Sequence, residues 1–480
     1  MSTPIQFPGE DRSNAVRASI TEREPLALRT FTPSQAVLAK SAGCFHWTPE
    51  GRRLYDYSSG VLVSNLGHNP RRWMERFTSY LGWKPENFAV AAGANGDDGG
   101  YFEAVSMTAY NAITPIEAQA NERLLKSVQS APGGKRLDRV MWAASGSEAV
   151  QKALWACLHR DEKRDIILAT RYGFHGKKGL AGAVTGSEKD RDRDPRVKFI
   201  SFPMAEIDDI SKQGAEIDLA KYQAELDALH KEYGSRLNCL ITEPYLGGGG
   251  SYHPPKSYMK LLQDFCRKHD ILLIFDEVQA NFGRTGSMYA FEAYGVEPDF
   301  VCLGKGLGNG VPVSAAVGRG DIMASLKYGE ASDTWSANPI SCAAVLATLD
   351  EFESRDIMAQ TRKLSKLFID GLVRLKETGL VGKVRGEGLV FGIECNPVGD
   401  RTGNQVANAI VEAAYLGRAG ENDKPAGDGI HLLGPLAGTV IRVSPPMTMT
   451  ETEARESIDL LQRIVTNLAS SLKGAAAGAK

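Results

Sequence analysis

No apolar run in this 480-residue chain is long enough to span a bilayer, so a membrane-crossing helix is not expected. Excess charge of one sign is also missing. The 56 lysines and arginines nearly balance 58 acidic residues, for a formal net charge of -2, which excludes broad attraction to nucleic acid or anionic lipid. None of the seven cysteines (Cys44, Cys157, Cys239, Cys266, Cys302, Cys342, Cys395) forms a C-x-x-C pair, and their number is odd. A disulfide framework is thereby excluded, and a reducing compartment is expected. The N-terminus carries Glu10, Asp11 and Arg12 and lacks the apolar core of a signal peptide, so the expected location is cytoplasmic. Internal repeats are absent too.

What is present is ordinary globular composition and enough length for more than one domain. The first forty residues are polar, have little periodicity and are expected to wrap over another surface. From Gly43 to Asn65 the pattern predicts two short strands around a turn at Glu50-Gly51. Strands are then predicted at Arg139–Trp142, Asp165–Leu168, Lys198–Phe202, Leu237–Thr242, Ile271–Phe275, Phe300–Leu303 and Val313–Val317. Helical periodicity falls between them, at Glu148–His159, Leu219–Tyr233 and Lys256–His269. Apolar runs without polar alternation fit a sheet covered on both faces, and the alternation with helices predicts an α/β fold with a mostly parallel sheet. After Cys342 the pattern gives helices at Ser341–Ser354 and Thr361–Thr378, one glycine-punctuated strand at Gly386–Ile393, and a short strand at Val440–Val443. A glycine-rich loop is expected over Gly417–Pro435 and a disordered tail from Lys473. The mixed-charge run Glu188–Asp194 reads as a solvated loop.

In such sheets ligands bind at the carboxyl ends of strands. Ile271-Leu-Leu-Ile-Phe275 ends in Asp276-Glu277. A nucleoside triphosphatase reading needs an upstream G-x-x-x-x-G-K-[ST] loop. Pro132-Gly133-Gly134-Lys135-Arg136 lacks both its first glycine and its hydroxyl, so that reading falls. A buried carboxylate can instead face the protonated nitrogen of a pyridine ring and keep the ring an electron sink. The next strand end is Leu303-Gly304-Lys305-Gly306-Leu307-Gly308, where an amine of lowered pKa would suit imine formation. Taken alone, a lysine such as Lys305 is more often solvated or ion-paired. Ala144-Ser145-Gly146-Ser147 opens a helix after a strand; it can bind an anion or simply cap the helix.

Together these segments resemble the class-III pyridoxal-phosphate aminotransferases, the group of 4-aminobutyrate, acetylornithine and ornithine aminotransferases. The resemblance runs from Gly43 to about Glu453. It rests on Asp276-Glu-Val-Gln-Ala-Asn-Phe-Gly-Arg-Thr-Gly286, Gly67-His68-Asn69-Pro70, Glu243-Pro244, Thr334-Trp-Ser-Ala-Asn-Pro339 and Arg442-Val-Ser-Pro-Pro446, in that family's order along the chain once sorted by number. Asn281 replaces a usual glycine, and the Gly417–Gly434 stretch is longer than the family pattern.

The resemblance implies the fold-type-I transferase architecture: a large domain with a mostly parallel seven-stranded sheet over residues 71–345, and a smaller α+β domain. Residues 1–70 and 346–480 would build that smaller domain. It implies pyridoxal 5'-phosphate as cofactor, no metal, and Lys305 as the catalytic lysine that carries the cofactor and shuttles the proton. Asp276 would pair with the ring nitrogen, Gln279 would lie near the ring's phenolic oxygen, and Phe174, His175 and Val278 would contact the ring. Gly146 and Ser147 would hold the phosphate, with Thr334 reaching the phosphate of another subunit. A homodimer, or a tetramer, with shared sites follows. Glu243 and Arg442 would act on substrate: the guanidinium fork fits a carboxylate, and the Glu pairs with it when an uncharged group enters. A purely structural ion pair is the competing reading. Val61 would make the distal pocket apolar. The expected reaction moves an amino group from an ω-amino acid or terminal amine to 2-oxoglutarate, with pyruvate second. Decarboxylase, racemase and aminomutase outcomes share these motifs, and an inactive paralogue that only binds is the distant alternative.

Overall fold

The computed structural model describes residues 4–28, 30–88, 101–191, 193–418, 427–435 and 437–478, with side chains described to 473. Its strands are β1 (Lys40–Ala42), β2 (Phe45–Trp47), β3 (Arg53–Asp56), β4 (Arg139–Ala143), β5 (Ile166–Thr170), β6 (Val197–Ile200) and β7 (Leu237–Thr242). They continue as β8 (Leu272–Asp276), β9 (Phe300–Leu303), β10 (Ser314–Gly318), β11 (Val381–Glu387), β12 (Val390–Cys395), β13 (Gly429–His431) and β14 (Val440–Val443).

Seven strands form the central sheet in the order β4-β10-β9-β8-β7-β5-β6. From β6 to β9 all neighbours are parallel, and only β10 runs antiparallel to both of its neighbours. Every residue of β5, β7, β8, β9 and β10 is buried, which explains their unbroken apolar runs. The seven strands predicted between Arg139 and Val317 all fall here, shifted by one or two residues at most ends. Helix Gly146–Arg160 packs on the sheet across β9 and β10, and helix Pro339–Ser354 packs against helices Arg71–Leu81 and Pro115–Ser130.

The remaining strands lie in two smaller sheets. One is antiparallel, β11-β12-β14. The other joins distant parts of the chain: β1-β2-β3 continues to β13 through a parallel β3–β13 pair, with His431 opposite Asp56.

Three expectations need correction. The single strand over Gly386–Ile393 is two strands of a tight hairpin, in which Glu387 pairs with Val390 across Gly388 and Leu389. Gly388 has φ +57°, and a Cβ there would sit 2.2 Å from Arg284 O, so the turn residue reads as strand punctuation in sequence but reverses the chain. The polar N-terminal stretch contains a helix, Asp11–Arg23. Finally, the last helix, Glu451–Gly478, continues into the tail expected to be disordered, because its alanines have the highest helix propensity. Residues 479–480, 419–426 and 436 lie outside the described residues, so eight of the 18 residues of the Gly417–Gly434 insertion do too. Gly417 itself, at φ +77°, caps helix Gly403–Leu416.

Candidate active site

Three neighbouring strands end at one cavity of about 370 Å³: β7 delivers Glu243, β8 delivers Asp276, and β9 delivers Lys305. Gly146, Ser147, Phe174, His175, Val278 and Gln279 border the same cavity. Asp276 is fixed from two sides. Its Oδ2 lies 2.8 Å from His175 Nδ1, and its Oδ1 accepts from Val278 N–H at 3.0 Å. His175 Nε2 is buried without a partner among the described residues.

Lys305 follows Gly304 with φ +47°, a left-handed conformation unusual for a lysine and found where structure holds a residue to a task. No hydrogen bond or ion pair holds its amine among the described residues. Burial and then the Arg442 charge push Lys305 down to about 8, against the opposing pull of Asp276 and Glu243. A lysine so placed is a nucleophile near neutral pH. Glu243 moves the other way: burial, with the Asp276 charge, raises it to about 7. One of its oxygens accepts from Phe174 N–H at 2.9 Å and the other from Gly247 N–H at 3.3 Å.

The helix Gly146–Arg160 points its first turn at the cavity. Ser145 caps it, and Glu148 reaches back to Ala144 N–H and Ser145 N–H at 2.9 and 3.1 Å. Those bonds leave the N–H groups of Gly146 and Ser147 free among the described residues, at the positive end of the helix. Small residues are required here. A Cβ on Gly146 would lie 2.9 Å from Val278 Cγ1, and one on Gly176 would lie 2.4 Å from Ser147 Oγ.

A second cavity, about 690 Å³, shares Phe174, Gln279 and Lys305 with the first and extends outward. Arg442, Val61, Thr30–Pro33, Asn404, Asn408 and Leu433–Pro435 wall it. Arg442 is buried, and burial lowers its pKa. The expected Glu243–Arg442 pair is not among the ion pairs of the described residues. Both groups instead bond the peptide unit region of Gly247: Arg442 Nη2 donates to Gly247 O, while Gly247 N–H donates to Glu243. Position 247 has no room for a side chain: a Cβ there would lie 2.1 Å from Gln279 Oε1 and 3.1 Å from Glu243 Oε2.

Val61 sits in an uncommon turn. Ser59, Gly60, Val61 and Leu62 all have φ between +47° and +66°. A left-handed run costs about 1–2 kcal/mol per non-glycine residue, more for a β-branched one. Thr334 borders neither cavity; it is exposed, next to Trp335 at 60% exposure. Asn281 is buried behind the site, donates to Glu277 O and borders neither cavity. Sequence reading missed Gly247 and the Thr30–Pro33 lip, since neither carries a chemical signal until the fold brings it to the cavity.

The inner cavity thus brings together the Lys305 amine, two buried carboxylates and two backbone N–H groups unspent among the described residues. The family pattern described as aminotransferase class-III matches residues 101–465, and the chain belongs to that family. The acetylornithine aminotransferase of Oceanobacillus iheyensis is 27% identical over 95% of this chain and 100% of its own length. The leucine/methionine racemase of Thermococcus litoralis is 27% identical over 92% of each chain. The crystal structure of an (S)-enantioselective omega-transaminase from Thermomicrobium roseum superimposes with a TM-score of 0.73 at 25% identity, covering 95% of both chains. No described helix is long and apolar enough to cross a membrane.

Proposed function

We propose that this aminotransferase binds pyridoxal 5'-phosphate and moves the amino group of an ω-amino acid or terminal amine to a 2-oxo acid, 2-oxoglutarate in preference to pyruvate. The observation that carries this reading is the convergence of Lys305, Asp276 and the free N–H groups of Gly146 and Ser147 on one cavity. The residues present fit the cofactor. The helix start offers its phosphate two unspent donors in a cradle where added Cβ atoms would clash, and Asp276 offers the pyridine nitrogen a fixed acceptor. When bound, the cofactor supplies an electron sink that makes the bond to the amine-bearing carbon acidic.

The protein's own part is positioning and proton transfer. Lys305 Nζ, lowered to about 8, takes the proton from the amine-bearing carbon and would pass it to the cofactor's aldehyde-derived carbon rather than back, as amino transfer requires. His175 orients Asp276, while Phe174 and Val278 wall the ring site. Arg442 presents a guanidinium to the carboxylate of the 2-oxo acid, and Gly247 holds it in place. Glu243, titrating near 7 and bonded to the same glycine, offsets that charge when an uncharged amine tail enters. Residues 1–70 and 346–480 form a small domain against a large one of 71–345, a division that the β3–β13 pair supports. The exposed position of Thr334 supports a homodimer in which it serves the neighbour's phosphate site.

An amine-donor panel, with 2-oxoglutarate and pyruvate offered separately, tests the reaction. Keto or aldehyde product should form from terminal amines with 2-oxoglutarate as the better acceptor; far better use of pyruvate would contradict the role given to Arg442. The similarity to a racemase supports a second reading, inversion at an α-carbon. Stoichiometric keto product in a single turnover decides for transfer, and loss of optical rotation without keto product decides for racemization.

A further inference from the structure

Beyond the two cavities, three of the chain's eight histidines gather on one buried carboxylate. Asp56, at the end of β3, is fully buried. Its Oδ2 lies 2.7 Å from His68 Nε2. Its Oδ1 accepts from Ser58 N–H at 2.7 Å, Ser58 Oγ at 2.7 Å and Ser59 N–H at 3.0 Å. His46 Nε2 faces the same oxygen at 3.4 Å, and the other nitrogen of that ring is 2.7 Å from Ser41 Oγ. His431 stands opposite Asp56 in the β3–β13 register, edge-on to His46 with ring centroids 5.6 Å apart.

The cluster sits at the root of two walls of the outer cavity. Ser58 and Ser59, the donors to Asp56, open the left-handed turn that carries Val61 into that cavity. Such a turn persists only where its surroundings over-determine it. Beyond Asp56, the turn's first residues are tied by Ser59 Oγ to Ser444 O at 2.7 Å, Ser444 Oγ to Ser58 O at 3.2 Å and Gly60 N–H to Ser58 Oγ at 3.0 Å. On the other side, His431 leads within two residues to Leu433, Gly434 and Pro435, which line the same cavity. Nitrogen and oxygen atoms of His46, Asp56 and His68 lie within 4.8 Å of one another, a span a divalent cation could bridge. Asp56 Oδ1 already accepts three hydrogen bonds from Ser58 and Ser59, and Oδ2 is joined to His68 Nε2, so a cation held between Asp56 Oδ2 and that nitrogen would displace their hydrogen bond.

We infer that Asp56, braced by His46, His68 and His431, is a positioning residue for substrate binding: its charge holds the Ser58–Leu62 turn, and thereby Val61, in the outer cavity opposite Leu433–Pro435. This rests on the proposed amine transfer but touches no reacting atom.

The test compares Asp56→Asn and His68→Gln with the wild-type holoenzyme, each normalised to covalently held cofactor. Asp56→Asn keeps the side chain's shape and removes the charge that gathers four donors. It should raise KM for the preferred amine about tenfold or more, with kcat changed less than about twofold, because groups that position a substrate act at a distance from the chemistry. His68→Gln, which keeps one N–H donor, should restore near-wild-type KM. A crystal structure of Asp56→Asn should show Val61 out of the left-handed region. An unchanged turn, an unchanged KM, or equal losses in kcat and cofactor content would overturn the inference, as would a stoichiometric metal ion in the purified wild-type protein. If no amine is turned over, the proposed reaction fails, while the Val61 turn still decides this inference.

Discussion

At residue scale the site is governed by a balance of four influences at Lys305, whose amine burial and Arg442 push down to about 8 while Asp276 and Glu243 pull it up. Capture of pyridoxal phosphate by apoenzyme should accelerate about tenfold per pH unit below 8 and level off above it, because only the neutral amine attacks. The two charged neighbours give opposite shifts. Arg442→Ala should move this midpoint above the wild-type value and Glu243→Gln below it, measured by cofactor absorbance in stopped flow. Shifts of the same sign would contradict the electrostatic account. Glu243 also has a stability signature. Its folded pKa, about 7, lies above its ordinary value of 4.5, so its contribution is fully present below 4.5 and lost as pH rises through 7. Glu243→Gln, which keeps an acceptor for Phe174 N–H, should therefore melt higher than wild type at pH 8 and lose that advantage near pH 5. The placement of Lys305 and Asp276 at the cavity was legible in sequence because each follows or ends an apolar strand. The company they keep was not: Gly247 is one of 50 glycines, and only folding places it between Glu243, Gln279 and Arg442. Gly247→Ala should displace the Arg442 anchor and raise KM for 2-oxoglutarate more than it lowers kcat.

At element scale, the central sheet was readable because buried parallel strands leave unbroken apolar runs, as in Leu272-Leu-Ile-Phe275. Helix Asp11–Arg23 was not readable, because polar groups rather than an apolar stripe dock it. The buried Glu10 just before it accepts from Arg17 at 2.8 Å, Arg52 at 3.1 Å and Tyr415 Oη at 2.8 Å. Tyr415 belongs to helix Gly403–Leu416, so this knot ties the N-terminal segment to the C-terminal half, ahead of the Thr30–Pro33 lip of the outer cavity. Tyr415→Phe removes the hydroxyl that donates to the buried Glu10 carboxylate and accepts from Arg17 Nη2, and should cost about 1.5–3 kcal/mol in urea unfolding. Full retention of stability would mean that Arg17 and Arg52 satisfy Glu10 without it.

At the scale of the whole molecule, the fold explains why the cavities lie where they do. Strand ends β7, β8 and β9 supply the inner cavity, while β14, the Val61 turn and the Leu433–Pro435 segment close around the outer one. Near Thr334 in the chain, large side chains stand in the open: Trp335 is 60% exposed and Tyr328 almost wholly so. Exposed large apolar groups are what interfaces cover, and the proposed homodimer would cover these. Trp335→Asp should weaken assembly in analytical ultracentrifugation and lower cofactor affinity together; loss of one without the other would separate assembly from the site.

The central claim is that Lys305 carries the cofactor. Borohydride reduction of the protein loaded with pyridoxal phosphate, followed by peptide mapping, tests it directly. A pyridoxyl mass on the peptide containing Lys305, absent from Lys305→Ala, is the expected result; a label on another lysine, or none, would contradict the account.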